Sequence, residues 1–210
     1  MDVLIAEELL LLAYRPKGNP LVHLEMLDHA LGAAVLSELV LLERLAFRDG
    51  RLGVTDPAPV GDAELDGALR RLCVPEEPPE FGGWWTAMYT PRRRERLLER
   101  LAGRGAVTVK RRTYLKVFKE ELFPEADPAL RESVRERVLA ALAGVEPDAR
   151  TVALVSLAHA CRLIGKAFPG ADRKRAAELA GRDPLGTAVE AAFERAAAES
   201  VGKMVAGGGT

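Results

Sequence analysis

Residues 148–168 read DARTVALVSLAHACRLIGKAF. On a helix with this sequence, apolar side chains such as Val152, Leu157 and Ile164 are distributed around the whole circumference. A helix with that profile is normally the buried centre of a bundle. The stretch therefore predicts a mostly α-helical fold, a bundle packed around a buried central helix at about 148–168.

Further helices, several of them amphipathic, are predicted around this centre. Apolar residues recur at helical spacing in the long segment 21–43, and Asp62 is in position to cap a shorter helix. Three more helices are predicted where Thr-Pro or Asp-Pro supplies an oxygen-bearing cap followed by proline. The predicted helices span 4–14, 21–43, 62–72, 91–103, 128–143 and 184–199.

One or two short β-hairpins are predicted between helices. Asp-Gly at 49–50 separates two short alternating runs, which is a strong hairpin signal. A second hairpin is predicted from strands 106–110 and 113–118 with its turn at 111–112. A helix followed by a hairpin is also the skeleton of a winged-helix unit, so a nucleic-acid-binding fold stays open at this stage.

Composition excludes several classes of protein. The 210 residues carry 30 basic and 31 acidic side chains, a net charge of −1, and 48% are apolar, so the chain is not disordered. No apolar run reaches the ~18 residues of a membrane-spanning helix. Cys73 and Cys161 are expected to be reduced thiols, and the histidines lack metal-ligand spacing. Since no catalytic or nucleotide-binding motif is present, we expect no enzyme, no cofactor and no metal.

The length, the isolated cysteines and the sequence of the N-terminus predict one domain in the cytoplasm. Asp2, Glu7 and Glu8 occupy positions where a signal peptide would be basic or apolar. Glu7 and Glu8 are expected to be solvated or to cap the first helix. We expect a single domain over 1–204 and a flexible, glycine-rich tail over 205–210.

The charge is concentrated in one segment. Residues 91–119 contain eleven basic and two acidic side chains, a net +9, so the rest of the chain carries −10. Arg92, Arg96, Arg100 and Arg104 recur every four residues and form one stripe of the basic helix. This pattern is typical either of a polyanion-binding surface or of a solvated charged helix face.

The first turn of the basic helix is the strongest candidate anion site. Arg92, Arg93 and Arg94 lie beside backbone N–H groups there, and planar guanidinium groups suit phosphate oxygens. Trp84 and Trp85, just upstream, could present a ring to a membrane or a base, or fill the core.

The chain resembles the Golgi phosphoprotein 3 family, whose members bind phosphatidylinositol 4-phosphate. The resemblance covers nearly the whole chain and rests on the order and spacing of several short motifs. They are LIAEELLLL at 4–12, LGAAVLSEL at 31–39, GDAELDGAL at 61–69, RERL at 94–97, GAV at 105–107 and LAHA at 157–160. The resemblance implies a helical bundle with peripheral amphipathic helices and a β-hairpin. It also implies a cytoplasmic, peripherally membrane-associated protein.

The family's headgroup pocket is partly kept in this chain. Eukaryotic members build it from a Trp, an Arg near the long helix and two Arg of the later basic helix. The second of those two falls on Arg94, whereas the first falls on Pro91, next to Arg92 and Arg93. The Trp position falls on His23 and the long-helix Arg on Gly32. These departures indicate a divergent, bacterial member with a looser anionic-lipid or phosphate site.

The leading hypothesis is a non-enzymatic peripheral membrane domain that binds an anionic, phosphoinositide-like headgroup. The alternatives are a winged-helix-like nucleic-acid binder and a protein-interaction scaffold. The resemblance also implies protein tails as partners and self-association into a homo-oligomer. The expected lipid- or phosphate-binding residues are Arg94, Arg92, Arg93, Arg96, His23, Trp84 and Trp85. The expected basic hairpin consists of Lys110, Arg111 and Arg112.

Overall fold

A computed structural model describes residues 3–48, 51–73, 90, 92–114 and 118–207. Within these residues the chain is mostly helical, with nine helices and two small antiparallel sheets. The helices are α1 (Ile5–Ala13), α2 (Leu24–Leu41), α3 (Ala63–Leu72), α4 (Arg93–Gly103), α5 (Ala129–Leu142), α6 (Ala149–Ala160), α7 (Ile164–Ala167), α8 (Arg173–Ala180) and α9 (Pro184–Gly207). The strands are β1 (Leu45–Arg48), β2 (Arg51–Val54), β3 (Lys110–Tyr114) and β4 (Phe118–Leu122). The predicted fold class is confirmed.

Two helices, α1 and α6, form the centre of the bundle. Every residue of α1 is buried, and this helix packs against α2, α4, α5 and α6. Helix α6 also packs against α2, α8 and α9, and its Leu154, Val155 and Leu157 are fully buried. The sequence therefore located one central helix correctly, while the equally central position of α1 emerges only from the packing.

The predicted helix at 148–168 is divided into α6 and α7. Arg162 adopts a left-handed φ of 56°. The N–H of Leu163 donates to the carbonyl of Ala158 at 2.8 Å, and the N–H of Arg162 donates to that of His159 at 2.9 Å. These two bonds form a Schellman closure, which usually has glycine at the left-handed position. Because arginine occupies that position, the sequence contains no local signal for the break.

Helix ends agree with the sequence in part. Asp62 caps α3 as predicted, since its Oδ1 accepts from the N–H of Glu64 at 2.9 Å. Pro184 is the first residue of α9, and the carboxylate of Asp183 accepts from the N–H groups of Leu185 and Gly186 in the first turn, as predicted. Helix α9 continues past 199 to Gly207, so residues 205–207 of the expected tail are helical, while 208–210 lie outside the described residues.

The first predicted hairpin is confirmed, and the second is shifted along the chain. Strands β1 and β2 pair on either side of residues 49–50. In the second hairpin, Arg111 and Arg112 lie inside β3, not at the turn, because they pair in register with Glu121 and Glu120 of β4. The opposite charges of Arg111 and Glu121, whose Nε and Oε1 atoms lie 2.8 Å apart across the two strands, favour this register. The prediction also missed helix α8 altogether.

Candidate functional site

The N-terminal end of α4 contains the four arginines predicted to bind an anion. Arg92 precedes the helix at a left-handed φ of 63° and has no side-chain capping bond. Its side chain is 81% exposed, and its Nε lies 3.6 Å from Glu95. Arg92 is therefore the most accessible of the four. Positive φ is uncommon for residues other than glycine and places the chain in a sharp bend before the helix.

Arg93 and Arg96 converge on one carboxylate, Glu64 of α3. The side chain of Arg93 is only 4% exposed and its Nε lies 3.4 Å from Glu64. Arg96 contacts the same carboxylate, with Nη2 at 3.1 Å from Oε2. Burial alone would raise the pKa of Glu64, but hydrogen bonds from Arg96 and Arg93 and their charges lower it below its usual value. Glu64 is therefore ionised and holds both guanidinium groups against the protein.

Arg94 is held in the same way by Asp28 of α2. Nη1 of Arg94 lies 2.7 Å from both carboxylate oxygens of Asp28. Burial raises the pKa of Asp28, and the neighbouring Arg94 opposes that shift only in part. Burial also raises the pKa of the adjacent Tyr14 to about 12, so this phenol stays neutral. Arg94, which aligns with a pocket arginine of the family, is thus paired with Asp28 of the same chain.

The remaining arginines of the predicted stripe also face carboxylates. Arg100 Nη1 lies 2.8 Å from Asp62, and its Nε lies 3.3 Å from Glu7. Arg104 Nε lies 3.7 Å from the same Glu7. The predicted inward face of α4 is confirmed, since Leu97, Leu98 and Leu101 are buried.

Glu7 and Glu8 are both buried in the bundle, so the expectation that they are solvated is wrong, whereas the alternative that they cap the first helix is confirmed for Glu7. Glu7 caps the chain by accepting from the N–H of Leu4 at 2.9 Å. Glu8 lies 2.7 Å from Arg137 and 3.5 Å from Arg150. A buried carboxylate needs such partners, since an unpaired charge in the interior is costly.

The positive charge of the basic helix is therefore partly neutralised by ion pairs inside the fold. Four carboxylates from the acidic remainder of the chain meet the basic helix: Glu7, Asp28, Asp62 and Glu64. An anion that approaches the end of α4 has to share Arg94 and Arg96 with these carboxylates, whereas Arg92 is largely open to it. Ion pairs between elements so far apart in the chain leave no local pattern, which is why sequence reasoning missed Asp28 and Glu64.

The other predicted site residues are not brought into contact with α4 by a described hydrogen bond or ion pair. His23 is an exposed residue immediately before α2, and Gly32 is buried within that helix. Trp84 and Trp85 lie outside the described residues. Lys110 and Arg111 are exposed on β3, where Arg111 Nε lies 2.8 Å from Glu121. Arg112 occupies the next position of the same strand.

Neither a metal centre nor a membrane span is found in the described part of the chain. There, no three His, Cys, Asp or Glu side chains are grouped so that they could hold a metal ion. No helix in those ranges combines the length and the apolar character needed to cross a bilayer.

Comparison with known families gives a match over most of the chain. The sequence model of the family described as Golgi phosphoprotein 3 (GPP34) matches residues 5–196, nearly the whole chain. No curated protein matches the sequence.

Proposed function

The chain belongs to the Golgi phosphoprotein 3 family, and we propose that it is a non-enzymatic domain that associates with membranes by binding an anionic phospholipid headgroup. The proposed contact surface is the N-terminal end of α4, with Arg92 as its exposed centre. Family membership supports phosphoinositide-like lipids as the ligand class. We further propose that the protein acts in the cytoplasm as a peripheral, reversibly bound protein.

The observation that carries this proposal is the charge balance at the end of α4. Five guanidinium groups lie at the N-terminal end of α4: Arg92, Arg93, Arg94 and Arg96, together with Arg71 of α3, whose Nη1 hydrogen-bonds to the hydroxyl of Thr90. The carboxylates paired with this group are Asp28, Glu64 and Glu95. A local excess of positive charge therefore remains after the internal ion pairs are counted. Arg92 and Arg96 expose 81% and 42% of their side chains, so both can reach a phosphate.

The internal ion pairs define how the headgroup would be bound. Glu64 and Asp28 hold Arg96 and Arg94 in fixed positions, which reduces the entropy lost on binding. The same carboxylates repel an incoming phosphate, so binding depends mainly on the excess charge. Each Lys or Arg near an anionic surface contributes about 1 kcal/mol, and salt weakens the attraction.

Vesicle cosedimentation tests the proposal. The wild-type protein should pellet with phosphatidylcholine vesicles that contain phosphatidylinositol 4-phosphate, and less with phosphatidylcholine alone. Replacing Arg92 and Arg96 by alanine should weaken binding by roughly tenfold or more, since about 1 kcal/mol is lost per cation. The matched control replaces Lys174 and Arg195, exposed cations on α8 and α9, and should bind as the wild type does.

Three outcomes would overturn the proposal. They are equal binding to neutral vesicles, an unaffected Arg92→Ala/Arg96→Ala variant, and sequence-preferring binding to duplex DNA at physiological salt without vesicle binding. The lipid hypothesis is preferred over nucleic acid because Arg111 and Arg112 lie within β3 and do not form the basic hairpin tip that a winged-helix reader would use. Capture of an acidic protein with no lipid binding would instead favour the scaffold hypothesis.

A further inference from the structure

A second basic region lies away from the end of α4, in a cleft of about 430 Å³ between the end of α1, the segment after it, the start of α5 and α7. We call it the basic cleft. Its lining combines apolar side chains with four cations: Arg15, Arg131, Arg135 and Lys166. Its size falls within the roughly 300–1,000 Å³ of small-molecule sites.

The basic cleft has an apolar floor. Leu11 and Leu12 form its bottom and are only 3% and 2% exposed. Its accessible apolar side chains are the half-buried Leu21 and the exposed Pro16 and Pro169. Ala167 closes the side formed by α7. These side chains offer a surface on which an apolar chain would be removed from water, which is favourable in proportion to the area buried.

Two cations on the rim of the cleft are available to a ligand. Arg15 and Lys166 are both exposed. Neither side chain has a hydrogen bond or ion pair with any residue in the described part of the chain. This distinguishes them from the arginines of α4, most of which are paired with carboxylates.

Two further cations of the cleft are fixed by the fold. Arg131 Nη2 donates to the carbonyl of Tyr14 at 2.8 Å, and its Nε lies 3.0 Å from Glu125. Arg135 Nη1 donates to the carbonyl of Ala167 at 2.9 Å. The guanidinium of Arg135 also stacks on the ring of Phe168, 5.0 Å from its centroid. Both guanidinium groups are therefore presented to the cleft in set positions.

Negative charge in the cleft is small by comparison. Glu132 is the one acidic side chain in the described lining, and it is exposed, with its carboxylate 3.8 Å from Arg135. Glu125 is held by Arg131 outside the lining. Four cations thus face one carboxylate of the lining and a second behind it, which leaves the cleft with a net positive charge.

We propose that the basic cleft binds a single-chain anionic amphiphile, a phosphate monoester with a short alkyl chain. The phosphate lies at the rim between Arg15 and Lys166, and the chain lies on Leu21, Pro16 and Pro169. Charge complementarity selects the headgroup, because two cations lack partners there, and the apolar floor selects the chain. This site is separate from the headgroup surface proposed at the end of α4.

Isothermal titration calorimetry with three probes below their micelle concentrations tests the site. Octyl phosphate should bind, inorganic phosphate supplies the headgroup alone, and octyl glucoside supplies the same chain with a neutral head. We expect octyl phosphate to bind at least roughly tenfold more tightly than inorganic phosphate or octyl glucoside. Only octyl phosphate contacts both the rim cations and the apolar floor. Arg15→Ala/Lys166→Ala should lose about tenfold in that affinity.

Two control variants make each outcome decisive. Lys174→Ala removes an exposed cation of α8 and should leave octyl phosphate binding unchanged. Octyl phosphate is also titrated into Arg92→Ala, in which the exposed cation of the other surface is removed. Binding that persists in this variant belongs to the basic cleft, which separates this site from the proposed lipid surface. Absence of octyl phosphate binding, equal binding of octyl glucoside, or an unaffected Arg15→Ala/Lys166→Ala variant would overturn the proposal. Loss of octyl phosphate binding in Arg92→Ala would also overturn it.

Discussion

Most arginines at the start of α4 are paired with carboxylates of the fold, whereas the two rim cations of the basic cleft are not. In α4, Arg93, Arg94 and Arg96 meet Glu64 or Asp28. In the cleft, Arg15 and Lys166 have no such partner among the described residues. The segment that is most basic in sequence is therefore largely neutralised in the fold, and a region with no notable charge pattern in sequence retains open cations.

The difference teaches that the number of cations in a segment does not measure the charge offered to a ligand. A buried or half-buried guanidinium needs a carboxylate to offset its loss of hydration. An exposed cation remains hydrated and is free to bind an incoming anion. The two regions should therefore respond in opposite ways to mutation, with stability lost in one and ligand affinity in the other.

The largest expected effect lies at Glu7, the buried carboxylate shared by Arg100 and Arg104. Glu7→Gln keeps the size of the side chain but removes the charge, which should lower the free energy of unfolding by about 3 kcal/mol. Urea denaturation measures the change. Glu99→Gln, which alters an exposed carboxylate of α4, is the control and should stay within about 0.5 kcal/mol of wild type. Equal losses of unfolding free energy in the two variants would contradict the claim that buried ion pairs of α4 stabilise the fold.

A somewhat smaller effect is expected at Glu64, and it should depend on pH. Glu64→Gln leaves the buried Arg93 without its anion and should cost about 2 kcal/mol at neutral pH. Because the pKa of Glu64 is lower in the folded protein than in the unfolded chain, its contribution is present above the unfolded pKa and is lost as pH falls through the folded one.

Urea denaturation of wild type and Glu64→Gln across the acid range measures this dependence. The two proteins should differ most near neutral pH and converge below the usual pKa of a glutamate. A constant difference at all pH values would contradict a role for the ionised carboxylate.

The smallest effect on stability is expected in the basic cleft. Lys166→Ala removes an exposed, unpartnered cation and should change the free energy of unfolding by less than about 0.5 kcal/mol. Thermal denaturation checks this directly. A loss comparable with that of Glu64→Gln would mean that Lys166 supports the fold and would remove the contrast between the two regions.

Much of the fold followed from the sequence because its signals are local. The apolar stretch in α6, the Asp62 cap and the Asp-Gly hairpin each depend on residues near in the chain. The break at Arg162 was missed because an arginine holds the left-handed position that glycine usually takes. The shifted second hairpin depends on cross-strand pairing of Arg111 with Glu121, a contact the alternation pattern does not encode.

The sequence predicts the basic residues of the candidate site but not their acidic partners. The basic residues of α4 could be located, since charge clustering is a one-dimensional property. Their partners Asp28 and Glu64 lie 66 and 29 residues or more away, and single-sequence patterns do not specify such pairs. The basic cleft was missed for the same reason, because Arg15 and Lys166, which are far apart in the sequence, line one cleft only in the folded chain.

The central claim, that internal carboxylates limit the charge available at the end of α4, is tested most directly at Asp28. Asp28→Asn retains the shape of the side chain and releases the charge of Arg94, which Asp28 holds at 2.7 Å. Cosedimentation with vesicles containing phosphatidylinositol 4-phosphate should show an affinity about fivefold higher than wild type, the effect of roughly one additional cation. Glu99→Gln, which makes the same change in net charge at an exposed position, should increase binding less. Unchanged or weaker binding of Asp28→Asn, or an equal gain in Glu99→Gln, would contradict the claim.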